Sequence, residues 1–300
     1  MTVDLLAIGE VMAEVRQDPT GGFRVGFAGD TFNTAVYCAR ESDPSASIGY
    51  CTRVGRDPLS HAFLSAAKNE GIDVSQVGFD RERNLGIYTV STDSTGERIF
   101  HYWRSNSAAR RLFASGESLA SLPAARIVYL SAITLAILHP SARRRLIAHL
   151  RELRGRNACH VAFDSNYRPQ LWENTETARR SVREMWQVAD IALPSVDDEI
   201  ALFGDADEDA VISRFATSDW HACAIKRGEL GPVSPRLARR AHPAFAPAPD
   251  VVDTTAAGDS FNGGYLAAFL RGEDEVRRLV AGHQIASRVV GESGALIARS

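Results

Sequence analysis

Val251-Val252-Asp253-Thr254-Thr255-Ala256-Ala257-Gly258-Asp259-Ser260-Phe261, continuing through Asn262 to Leu270, is the junction from which the fold is read. The two valines read as the end of a short strand. Small residues then make a tight turn, and Phe261, Tyr265, Leu266, Phe269 and Leu270 recur at helical spacing. A helix is therefore expected from about Ala257. The first N–H groups of a helix have no intrahelical partner and carry the positive end of its dipole, so they make an anion seat. Small side chains at 256–258 let an anion approach the backbone closely. Asp259 falls in the first turn. A carboxylate there serves at the least as a charge favourable to a helix N-terminus. Beside an anion seat it can also take a proton from a hydroxyl while the amides hold a phosphoryl group.

Outward from this junction the chain alternates strand and helix from about Arg126. Strands are expected at Ile127–Leu130, His160–Phe163, Ile191–Leu193 and Ala222–Lys226. Helices are expected at Ser141–Arg154, Thr177–Gln187, Asp197–Phe203, from Glu208 to Ala216 and from Glu275 to Val290. Nearer the N-terminus, strands at Leu5–Ile8 and Ile48–Cys51 and a helix at Pro58–Glu70 fit the same rhythm, with a turn at Gly71-Ile72-Asp73. Such alternation implies a mostly parallel sheet covered by helices on both faces, with ligands at the carboxyl ends of the strands. Two stretches break it. Residues 11–27, around the turn Asp18-Pro19-Thr20-Gly21-Gly22, and residues 85–104, around Asp93-Ser94-Thr95-Gly96-Glu97, read as β pieces forming a small lid inserted in one α/β domain over 1–300. In the second stretch Tyr102 and Arg104 are two apart and share a strand face, with Tyr88 on the other arm of the hairpin.

Three hundred residues, 45% of them hydrophobic, bury a large core. The net charge of -3 argues against a nucleic-acid partner. Cys38, Cys51, Cys159 and Cys223 form no CxxC pair and read as reduced core thiols. No signal peptide and no apolar run of membrane-spanning length is evident, so a cytoplasmic protein is expected. No G-x-x-x-x-G-K-[ST], no G-x-G-x-x-G after a strand and no His/Cys set at zinc spacing occurs. Phosphate would then be held by helix amides, Mg²⁺ and Lys226.

Three further segments fall at expected strand ends. Ala28-Gly29-Asp30-Thr31-Phe32-Asn33-Thr34-Ala35 leads into a helix, with Asp30 or Thr31 able to cap it. Asp164-Ser165-Asn166-Tyr167-Arg168-Pro169 leaves polar side chains on a loop, because Pro169 disfavours helix at Arg168. Ser195-Val196-Asp197-Asp198-Glu199 opens a helix with an acidic first turn, and Lys226-Arg227-Gly228-Glu229-Leu230-Gly231 ends a strand with two glycines.

Taken together, the 253–261 stretch resembles the D-T-x-G-A-G-D signature of the ribokinase-like (PfkB) sugar kinases, with Ala256 in place of a glycine, a change that fits only if its φ is negative. The 28–35 stretch resembles that family's G-G-x-x-x-N-x-A motif, and the resemblance runs essentially the full length. It implies a ribokinase-like fold, ATP and Mg²⁺ as cofactors, Asp259 as catalytic base, and the amides of Ala257 and Gly258 as the anion hole. By the same resemblance Gly29, Asp30, Asn33, Tyr88, Tyr102, Arg104, Asn166, Arg168 and Asp259 bind the sugar. Ser195, Lys226, Gly228, Gly231, Ala256, Ala257, Gly258 and His283 bind ATP, and Asp198 reaches the metal through water. The usual N-x-x-E of the magnesium motif falls on Ser195 and Asp198, both departures. Runs such as Tyr102-Trp103-Arg104 and Asn166-Tyr167-Arg168-Pro169 with Leu171-Trp172 are most similar to the branch acting on 2-dehydro-3-deoxy-D-gluconate at its 6-hydroxyl. A sugar acid suits bidentate arginines, which a neutral sugar would not need. A fructokinase-like specificity and an inactive sugar-acid sensor are the alternatives, and a homo-oligomer is expected.

Overall fold

Apolar runs without polar alternation suit a sheet buried on both faces, and here they build one. In the computed structural model, which describes residues 2–17, 20–92, 98–114 and 119–299, the chain opens with β1 (Val3–Ile8), β2 (Met12–Gln17), β3 (Phe23–Ala28), α1 (Asp30–Glu41) and β4 (Ile48–Val54). Next come α2 (Pro58–Asn69), β5 (Ile72–Asp73), β6 (Val77–Phe79), β7 (Gly86–Thr92), β8 (Arg98–Trp103) and β9 (Ala125–Ser131). The elements α3 (Ala132–Ile137), α4 (Pro140–Gly155), β10 (His160–Asp164), α5 (Thr175–Trp186), β11 (Ile191–Ala192) and α6 (Val196–Phe203) follow. The chain closes with α7 (Glu208–Ala216), β12 (Ala222–Cys223), α8 (Ala257–Leu270) and α9 (Glu275–Val290).

The large sheet has the order β12-β11-β10-β9-β1-β4-β5, with β6 also on β4, and its pairs are parallel. Alternate strand residues feed two separate cores, as the pleat requires. Leu6, Ile8, Val128 and Leu130 pack with Leu146, Leu150, Val182 and Phe215 from α4, α5 and α7. Leu5, Ala7, Ile127 and Tyr129 pack with Phe32, Phe63, Leu266 and Leu279 from α1, α2, α8 and α9. A second, mixed sheet has the order β3-β2-β7-β8. Its residues Met12, Ala28 and Tyr88 pack with Ala295 near the C-terminus.

Several local expectations give way to tertiary structure. Val251 and Val252 are not a strand. Both are exposed, and the N–H groups of Val252 and Asp253 donate to the Val290 carbonyl at 2.7 and 3.0 Å. Gly29, with no side-chain bond, occupies the N-cap of α1, so neither Asp30 nor Thr31 caps it. Ile72–Asp73 pairs with β4 instead of only turning, and α3 is a one-and-a-half-turn helix that periodicity misses, capped by Ser131. The strand expected over 222–226 is regular only at Ala222–Cys223, with Ile225 and Lys226 in isolated bridges to Val233 and Ser195. The turn residues Asp18-Pro19 and Asp93-Ser94-Thr95-Gly96-Glu97 lie outside the described residues. Among the described residues no helix is long and apolar enough to cross a membrane.

Candidate active site

The carboxyl ends of β1, β9 and β10, the turn before α8 and the inner face of the mixed sheet enclose a cleft of about 610 Å³. Every residue named above for the site lines it except Gly231. That glycine lies behind Phe245, whose ring packs against His283 with centroids 4.7 Å apart.

The turn ahead of α8 departs from expectation at one residue. Ala256 sits in the left-handed region at φ 62, ψ 14. The sequence reading required a negative φ there. The turn instead takes the conformation a glycine would take, and an alanine bears it at a cost of about 1–2 kcal/mol. The compensation is visible: the Ala256 methyl packs against the Met12, Ala28, Tyr88 and Ala295 cluster. Asp253, almost fully buried, ties the turn down by accepting from Thr255 N at 2.9 Å and Gly294 N at 2.6 Å. Arg98 of β8 pairs with the same carboxylate, which links the mixed sheet to the anion turn.

Asp259 is half-buried at the floor of the cleft, with Asn33 Nδ2 donating to its Oδ2 at 2.8 Å. Burial first, then the neighbouring Asp30 carboxylate, push its pKa up to about 7, against the opposing pull of the Asn33 bond. A base near neutrality is suited to accepting a proton at physiological pH. Asp30 itself is raised, chiefly by burial; it accepts from Ser131 Oγ and, at 3.0 Å, from Asn166 Nδ2.

Behind the anion turn lies a network of which the sequence reading assigned only Lys226 to the site. Asp164 Oδ2 accepts from Lys226 Nζ at 2.8 Å and from Asn262 Nδ2 at 2.6 Å, and Asn262 also bonds the Tyr129 hydroxyl at 3.1 Å. The Lys226 ammonium is thereby held beside Gly258, where an anion at the helix terminus would sit. Asp164 follows a strand directly, which was a usable signal, though its Asx turn with Asn166 N at 3.2 Å equally satisfied a capping reading. Nothing local marked Asn262, which reads as an ordinary mid-helix residue.

On the opposite wall, Tyr88, Phe100 and Tyr102 stack along the mixed sheet with ring centroids 5.7–6.2 Å apart. The Tyr88 hydroxyl donates to Glu14, a buried residue also held by Arg16 at 2.7 Å. Arg104 lies 5.8 Å from the Tyr102 ring centroid. Its Nε donates to Glu10 Oε2 at 2.8 Å and its Nη2 to the same oxygen, leaving Nη1 without a protein partner among the described residues. Glu10, 1% exposed, also accepts from Ser107. Arg168 is half-exposed; its Nη1 donates to the Tyr167 carbonyl at 2.8 Å and to Asp198 at 3.2 Å. Ser195 caps α6 and donates to Asp198 Oδ2 at 2.6 Å.

A parallel sheet with a mixed sheet facing its carboxyl edge, and a carboxylate in the first turn of a helix between them, defines a phosphotransferase class of site. The chain belongs to the pfkB family of carbohydrate kinases, whose model matches residues 3–299. It is 40% identical to the 2-dehydro-3-deoxygluconokinase of Escherichia coli strain K12 over 309 residues, covering 100% of this chain and 98% of the relative. It is 37% identical to that of Dickeya dadantii strain 3937, covering 99% and 97%. Its fold is that of the Vibrio cholerae O395 fructokinase solved in fructose, ADP and calcium ion bound form, with a TM-score of 0.81 at 20% identity over 98% of this chain and 94% of that one.

Proposed function

We propose that the protein transfers the γ-phosphoryl group of ATP to the 6-hydroxyl of 2-dehydro-3-deoxy-D-gluconate, giving 2-dehydro-3-deoxy-6-phosphogluconate and ADP. The observation that carries the reading is the pairing of Asp259, at the N-terminal turn of α8, with Tyr102 and Arg104 on the facing sheet of one cleft. Full-length similarity to enzymes of that name supports the same substrate. Arg104 Nη1 and the free edge of Arg168 offer donors for the sugar carboxylate, while Asp30 and Asn166 present polar groups to the hydroxyls. Asp259 takes the hydroxyl proton as the oxygen attacks phosphorus and the bond to the ADP oxygen breaks. The amides of Ala257 and Gly258 and the Lys226 ammonium hold the charge that develops on the phosphoryl oxygens.

Among the described residues no cluster of three or more His, Cys, Asp or Glu could hold a metal. That suits Mg²⁺ carried by the nucleotide, which keeps several waters and needs one or two carboxylates. Asp198 beside Ser195, with lone pairs left after its two bonds, fits that part through water, and the ion would offset phosphate charge. The mixed sheet acts as a lid that excludes water from the transfer. Equal hydrogen-exchange protection of β7 and β8 with and without sugar would rule the lid out. Four free cysteines, three of them buried, accord with a cytoplasmic setting.

The test is a coupled kinase assay on the sugar acid and on a neutral ketose. Arg104→Ala should lower kcat/KM for the acid by about 10- to 150-fold, the loss of a charge-assisted hydrogen bond, and spare the neutral sugar. Equal losses on both sugars would make Arg104 structural and remove the physical support for an acid substrate.

A further inference from the structure

The close contact between α1 and α8 determines how Asp259 is held. A Cβ on Gly263 would come within 2.5 Å of Tyr37 Cβ and 2.9 Å of the Thr34 carbonyl oxygen, so the two helices meet backbone to backbone. At that distance two consecutive α1 side chains reach Asp259. Thr34 Oγ1 donates to its main-chain carbonyl at 3.1 Å, and Asn33 Nδ2 donates to Oδ2 at 2.8 Å. The orientation of the Asn33 amide is itself determined, because its Oδ1 accepts from Gly29 N at 3.3 Å and the NH₂ end must then face Asp259. Asn33 is 4% exposed and cannot swing away.

We propose that Asn33 is a positioning residue of the base: its amide clamps one oxygen of Asp259 and thereby presents the other to the substrate hydroxyl. This goes beyond the sugar contact that family resemblance implies for Asn33, and it rests on Asp259 being the base. A neutral donor does two things here. It fixes the carboxylate rotamer, and it favours the ionised form that can accept a proton. The other groups around Asp259 are Asp30 and Tyr37 on α1, Asp164 at the end of β10, Tyr129 on β9 and Lys226 after β12. The carboxylates raise its pKa and Lys226 lowers it, while both tyrosines stay protonated because burial raises them. Removing the Asn33 bond therefore leaves a base that ionises only at higher pH.

The experiment is kcat and kcat/KM against pH, with ATP and 2-dehydro-3-deoxygluconate, for wild type, Asn33→Ala, Asn33→Asp and Asp259→Asn. In Asn33→Ala the acid limb should move up by roughly one pH unit, the worth of a hydrogen bond to a charged group. Above that limb kcat should stay about 10- to 100-fold low because the base is no longer held in line. Asn33→Asp keeps the shape, so it reports even if the alanine variant fails to fold. It sets a second carboxylate against Asp259 and should move the limb further. The KM for ATP should hold in both. An unmoved limb in Asn33→Asp, with kcat within threefold of wild type and only the sugar KM raised, would make Asn33 a sugar ligand and overturn the proposal. Asp259→Asn separates the two ideas. If it keeps more than about a tenth of wild-type kcat the base assignment itself fails, whereas an inactive Asp259→Asn with unmoved Asn33 limbs sinks the positioning role alone.

Discussion

Ala256 shows how a single residue can be misread from the sequence and why. Propensity says that alanine avoids positive φ, and the sequence reading followed it; the structure has φ 62 there because Asp253 and the packing on Met12, Ala28, Tyr88 and Ala295 over-determine the turn. Three effects compete if glycine is put in its place. Relief of left-handed strain is worth about 1–2 kcal/mol. Against it stand at most about 0.8 kcal/mol for the partly buried methyl and about 0.5–1 kcal/mol for the added freedom of an unfolded glycine. Ala256→Gly should therefore leave stability within about 1 kcal/mol of wild type and kcat within a few-fold, as read by denaturant unfolding and the kinase assay. A change beyond about 2 kcal/mol in either direction would show that strain or methyl packing has been misjudged.

At the level of elements, the helix on which Asp259 sits was legible because Phe261, Tyr265, Leu266 and Phe269 repeat at helical spacing, and all are buried. What those residues could not show is which helix they would face. Asp259 meets Asn33 only because α1 and α8 touch through Gly263, a contact between residues 226 apart in sequence. The joining of Asp164, Lys226 and Asn262 into one network was hidden for the same reason: three separate parts of the chain contribute one polar group each. Gly263 is thus a point where packing and chemistry can be tested together. In Gly263→Ala the new methyl would press on Tyr37 Cβ at 2.5 Å, and on Cys38 N and Thr34 O at 2.9 Å, two of them backbone atoms that cannot turn aside. Overpacking of this kind costs about 1–3 kcal/mol, and the helices must part. Melting temperature and kcat should fall together, the latter because Asn33 and Thr34 retreat from Asp259. A variant that melts lower but keeps full kcat would mean that the base holds its place without α1.

For the whole molecule, the βα rhythm predicted the parallel sheet, and the break in that rhythm predicted the second sheet. Nothing local said what that sheet's other face would meet. Side chains alternate across a strand, so the register that turns Met12, Glu14, Tyr88, Phe100 and Tyr102 inward turns Val15, Phe23, Val25, Ile99 and Trp103 outward. Phe23 is 69% exposed and Trp103 61%, and the outward positions of the four strands hold no Asp, Glu, Lys or Arg. Gln17, Thr89, Ser91 and His101 share that face, so its exposed apolar side chains form two groups, Phe23 with Val25 on one edge strand and Ile99 with Trp103 on the other, rather than lying singly as on most monomer surfaces. The homo-oligomer expected from the sequence would set a second copy of the chain on this face. An uncharged patch can meet itself about a twofold axis without desolvating a charge, which like-charged patches could not do. Sedimentation equilibrium should then find a dimer or higher oligomer at micromolar concentration. Phe23→Glu with Trp103→Glu should shift it to monomer, because like carboxylates would be buried against each other. Both side chains are largely exposed, so the secondary structure should be retained. Monomeric wild type, or a variant that assembles as before, would show that this face does not hold the copies together.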